Sequence, residues 1–182
     1  MVEFHTRSGR CISPFQIYIR CAGRYGVREL PKLLGLNYKF CEHAPNQGDA
    51  CAIVCEVDGW LMLGDDVTYT LWRNKELRSE VARVASQYDV FMFSVGDCDR
   101  SFDFVLYRDG KLLREIQVES PQLMDQVLSN EYGDQLDGKM DLREIDDVGV
   151  YIGGKASRLG IRCPNANDEP MFCRPRWSLS VG

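Results

Sequence analysis

The chain has 182 residues, 45% hydrophobic and 27% charged, with a formal net charge of −5. That length fits one domain able to bury a core without cross-links, and the composition excludes a disordered or fibrous chain. No apolar run approaches the roughly 20 residues a membrane helix needs.

Residues 1–14 lack periodicity and are expected to form a loose arm. The opening run, MVEFHTRSGRCISPF, carries charge without a following apolar stretch, so the expectation is a cytosolic protein. Phe15 to Cys21 alternates apolar and polar residues, which predicts a strand. Val27, Leu30, Leu33 and Leu34 have helical spacing. Pro31 is tolerable in a first turn, and Gly35 stops the helix. Tyr38 to Asp49 reads as a loop broken by Pro45, Asn46 and Gly48. Ala50 to Val57 and Trp60 to Leu63 form a predicted hairpin around Asp58-Gly59. Asn74 is a candidate N-cap for an amphipathic helix over Glu76 to Gln87, with Leu77, Val81, Val84 and Ala85 on one face.

A three-strand meander follows: Val90 to Ser94, Phe102 to Tyr107 and Leu112 to Val118, the last two joined at Asp109-Gly110. Pro121, Leu123, Val127 and Leu128 predict a short helix, and Gly133 to Met140 an acidic turn region. Leu142 to Leu159 has one apolar side (Ile145, Val148, Ile152, Ala156 and Leu159), although Gly149, Gly153 and Gly154 each weaken a helix by roughly 1 kcal/mol. Gly160 is a natural stop. Pro164, Pro170 and Pro175 predict an irregular tail over 163–182. Hairpins outnumber strand–helix–strand crossovers. The expected fold is therefore α+β: a single domain over 15–162 with a mostly antiparallel sheet of five to six strands and flanking helices.

The charge is unevenly spread. From Arg114 to Val150 ten acids face three bases, a net of −7, whereas the first 35 residues carry +4 and the last 28 carry +3. Such an acidic block disfavours nucleic acid and suits a basic protein partner, or else is a solvated surface. The eight cysteines, in a chain of this size without an export signal, are expected to be reduced thiols.

Several constellations invite chemical readings. Asp97, Asp99, Ser101 and Asp103 match the opening ligand spacing of a calcium loop. Phe102 then stands where glycine is needed and Arg108 where a bidentate glutamate is needed, so a polar hairpin that caps its own turn or pairs with Arg100 is the simpler reading. Cys41, His43, Cys51 and Cys55 are four zinc-type ligands, but a strand through Cys51 and Cys55 separates those two by roughly 13 Å. His43 is the one credible general base, with Cys41 as its nearest thiol. Asp65-Asp66 reads as a turn before it reads as a carboxylate pair. YIGGKASRLG lacks phosphate-loop order and suits a helix packed closely through its glycines. Trp60 is a core candidate; Trp72 fits a core or an interface.

The run GWLMLGDDVTYTLWRNKELRSEVARVASQYDVFMFSVGDCDRSFDFVLYRDGKLLRE resembles a family of small, largely uncharacterised bacterial cytosolic α+β proteins. The resemblance rests on Trp60, the helix from Leu77 to Val84, Asp97 to Arg100, the strand from Phe102 to Tyr107 and Asp109 to Lys111. More weakly, it rests on VGVYIGGKASRLGI. It covers about a third of the chain, implies an immunity or accessory protein of a bacterial toxin system, and carries over no catalytic residue; from the residues themselves no metal or cofactor is expected. The sequence thus points to a binding protein ahead of an enzyme. Asp97, Asp99, Arg100, Asp141, Glu144, Asp146 and Asp147 are its candidate partner-binding residues. A metal-dependent or Cys/His hydrolase and a homodimeric structural protein are the alternatives.

Overall fold

In the computed structural model, residues 15–21, 23–41, 51–65, 75–95, 101–119, 128–133, 148–162 and 171–175 are described. Among the described residues nine strands form one antiparallel sheet in the order β2-β9-β3-β4-β1-β5-β6-β7-β8. They are β1 (Phe15–Ile19), β2 (Tyr38–Phe40), β3 (Ala52–Val57), β4 (Trp60–Gly64), β5 (Val90–Val95), β6 (Phe102–Arg108), β7 (Lys111–Glu119), β8 (Leu128–Gly133) and β9 (Met171–Pro175). The six strands expected from sequence are the contiguous inner block, β3 to β7 with β1 at its centre, so the fold is α+β as read. The sheet extends beyond that block at both edges. The stretch from Tyr38 opens as β2 and not as loop. Leu128 enters a strand and not a helix. Within the expected irregular tail, β9 pairs with both β2 and β3.

Both predicted Asp-Gly turns form. Asp58 and Gly59 have φ of 49° and 84°, and Asp109 and Gly110 have 51° and 75°. Two successive positive φ values match the right-handed twist of a two-residue hairpin, and glycine meets that requirement without steric cost. In β7, Leu113 is an extra residue: Leu106 opposes Arg114 and Tyr107 opposes Leu112. This bulge bends the β6–β7 hairpin.

Alternation along the strands gives the sheet two apolar faces. On one, Ile17, Ile19, Leu61, Leu63, Val90 and Met92 meet α1 (Leu30–Leu33, preceded by a 3-10 turn at Val27–Glu29) and α2 (Lys75–Ala85). The predicted α2 stripe, Leu77, Val81, Val84 and Ala85, is buried there. On the other, Tyr18, Phe91, Phe93, Phe102, Phe104 and Ile116 lie under α3 (Val148–Arg158), through Val148, Tyr151, Ile152 and Ala156. Trp60 belongs to this second core at 2% exposure. Each fully buried large apolar side chain contributes about 1.5–3 kcal/mol, so these two layers carry most of the stability. α3 forms despite Gly149, Gly153 and Gly154. The expected close glycine packing is not found at Gly154, where an added Cβ would meet nothing within 4 Å. No helix among the described residues is long and apolar enough to cross a membrane.

Candidate functional site

The most organised polar group lies where β5 ends and β6 begins. Ser94 and Asp103 are register partners, and both are buried. Ser94 donates from Oγ to Asp103 Oδ1 at 2.5 Å. Arg78, one turn into α2, donates from Nη2 to Asp103 Oδ2 at 2.8 Å. A carboxylate with both oxygens engaged is a stable buried acceptor. The guanidinium is about half exposed, so solvent screens the ion pair and its main effect is to fix α2 against β6.

Alternation continues this polarity along the sheet. Gln117 is the β7 partner of Asp103, and Glu115 is the partner of Val105. Gln117 is exposed, while Glu115 and Tyr107 are half-buried. Burial, reinforced by the Glu115 carboxylate and opposed by Arg78, pushes the Tyr107 phenol above its ordinary pKa, so it stays a neutral hydroxyl. Asp103, Glu115, Gln117 and Tyr107 thus make a polar row on a rigid strand pair beside Arg78. Asp103 is buried and engaged by Ser94 and Arg78, so the members of the row that reach solvent are Glu115, Gln117 and Tyr107, in fixed positions that suit recognition.

The predicted partner-binding residues Asp97, Asp99, Arg100, Asp141, Glu144, Asp146 and Asp147 lie outside the described residues, as do His43, Asp66, Trp72 and Asn74. Asp103 is the one member of the proposed calcium set whose carboxylate partners are visible, and they are Ser94 and Arg78. Phe102 and Arg108, which occupy the glycine and glutamate positions of that pattern, are the first and last residues of β6. Cys51 directly precedes β3, and Cys55 lies within it. Among the described residues no group of three or more histidine, cysteine, aspartate or glutamate side chains is placed to hold a metal.

The thiols are shielded. Burial, with Cys41 and Cys51 adding to it, pushes Cys173 up to about 12. Burial, with Glu56 adding to it, pushes Cys21 up to about 11. Both are therefore protonated and poorly nucleophilic at neutral pH. Cys41 is the most exposed of the described cysteines.

At the opposite end of the sheet Asp89 ties three segments together. It lies 4.0 Å from Arg20 and 3.9 Å from Arg108, and it accepts a hydrogen bond from the Asp109 backbone at 3.2 Å. Arg20 sits over Trp60, and Arg24 over Tyr88. These contacts staple the hairpin end of the sheet and leave the polar row at the other. Sequence reading found Asp103 but neither Ser94 nor Arg78; the one available signal was the alternation in EIQVE, which sets Glu115 and Gln117 opposite to Ile116 and Val118.

The chain matches no known protein-family model, no curated protein and no solved structure.

Proposed function

We propose that this protein is a non-catalytic cytosolic binding protein whose partner is a basic protein, with neutralisation of a toxin as its specific role. The observation that carries the reading is the pair Glu115 and Gln117 on β7, mounted on paired strands that the buried Asp103 latches to α2 through Arg78. Recognition residues on a rigid sheet lose little entropy on binding. Glu115 and Gln117 open an acidic stretch of the chain, net −7 from Arg114 to Val150, which would steer a basic partner toward them.

The test is retention from a lysate of the source cells on the immobilised protein, eluted by stepped salt. The expected result is a basic protein that survives moderate salt and is lost from an E115K, D146K, D147K variant. Unchanged retention by that variant would remove the assigned face. Stoichiometric zinc or calcium in freshly purified protein would displace the binding reading in favour of a metal-dependent hydrolase.

A further inference from the structure

Cations recur at every fourth residue from the end of β1 into α1: Arg20, Arg24, Arg28 and Lys32. All four are exposed, Arg20 at 62% of its side chain. Three of them lie over aromatic rings from three other parts of the sheet. Arg20 is 5.9 Å from the ring centre of Trp60 in β4, Arg24 is 5.6 Å from that of Tyr88 just before β5, and Arg28 is 5.2 Å from that of Phe40 in β2. A ring face holds a guanidinium in place and leaves its N–H edge for other partners. The four cations therefore mark a path from the hairpin end of the sheet to its β2 edge. Arg28 and Lys32 are one helical turn apart, like charges that repel one another. Glu29 is the one acid between Arg20 and Lys32, and its carboxylate accepts a hydrogen bond from the Gly26 backbone at 2.9 Å. Asp89 is 4.0 Å from Arg20, beyond hydrogen-bond length.

We infer that this path binds an acidic peptide segment of a partner protein, extended across Arg24, Arg28 and Lys32 with Arg20 at one end. Carboxylates accept guanidinium forks bidentately. A segment with a few acids also matches the charge of the path, net +3 from four bases and one acid. Nucleic acid fits less well. The rings that could stack bases already carry guanidinium groups, and Trp60 is only 2% exposed. A long polyanion would also meet the field of a chain whose net charge is −5, whereas a short acidic segment meets the local cations. The path shares no residue with the polar row, so the inference is independent of the proposed function.

Fluorescence anisotropy of labelled hexaglutamate, titrated with the full chain, tests it. Binding is expected at low salt and should weaken as salt rises. Arg24→Gln with Arg28→Gln removes two of the contacts and should weaken binding roughly fivefold or more. Lys111→Gln with Arg158→Gln removes the same charge from exposed positions elsewhere and should change it by less than about twofold. Arg24→Lys with Arg28→Lys keeps the charge and loses the forks, so it should fall between wild type and the glutamine variant, an order that loss of the fold would not produce. No binding by the wild-type chain, equal weakening by the Lys111 and Arg158 control, or tighter binding of a single-stranded oligothymidylate of equal charge would each overturn the inference.

Discussion

Strands β5 to β7 present the same backbone to two sides and opposite chemistry on each. Toward α3, Phe91, Phe93, Phe102 and Phe104 make a continuous aromatic layer; Phe91 and Phe104 lie 6.1 Å apart, and Phe104 and Tyr151 lie 6.3 Å apart. Toward α2, the corresponding layer turns polar at Ser94, Asp103, Glu115 and Gln117. One face is a sealed core and its cost of disturbance is stability. The other is also a core at Val90, Met92 and Val105, and it opens to solvent only at its polar end, Glu115 and Gln117, where disturbance should cost recognition first.

Substitutions on the two faces sharpen this contrast. Phe104→Ala, on the sealed face at 1% exposure, is expected to cost about 3–5 kcal/mol in denaturant unfolding. A loss below about 1 kcal/mol would mean that the aromatic layer is not a packed core. Asp103→Ala, on the polar face, removes the acceptor of both Ser94 and Arg78. Arg78 regains water, while the buried Ser94 hydroxyl does not, so about 1–3 kcal/mol should be lost. Asp103→Asn, which keeps an acceptor for either donor, should lose less. Gly154→Ala, at an exposed helical position with open space around it, should stabilise α3 by about 1 kcal/mol. Destabilisation there would mean that the exposed side of α3 is covered.

The thiols supply a pH test of the core that faces α1 and α2, to which Cys21 and Cys173 both belong. The folded state raises the pKa of Cys21 to about 11 and of Cys173 to about 12, both from 9.0. Their stabilising contribution is therefore intact below about pH 9 and declines as pH rises through 11 and 12. At pH 8 an alkylating reagent should label Cys41 well before Cys21 or Cys173 in the folded protein, a difference that denaturant abolishes. Equal labelling rates without denaturant would contradict the burial of the sheet edge around β9.

The inner strands were readable because their signals are local. FQIYI and FDFVLYR alternate, and both Asp-Gly turns state their own geometry. The outer strands carry no such signal. LSNEYG has little apolar alternation, YKF is too short, and MFCRP holds a proline at its end. Each is a strand because a neighbour offers it backbone hydrogen bonds, which a propensity argument does not see. The polar site was hidden for a related reason. Arg78 and Asp103 are 25 positions apart, and only the packing of α2 against the sheet brings them together. The strand expected over Leu112 to Val118 contained Glu115 and Gln117 but did not say that a helix would stand beside them.

The most direct test of the binding account is quantitative retention of a basic protein from source-cell lysate by three immobilised forms: wild type, Gln117→Lys with Glu115→Lys, and Gly154→Ala as a control on the α3 side. The account predicts salt-resistant retention by wild type and control and its loss from the charge-reversed polar row. Equal retention by all three, or none by any, would contradict it.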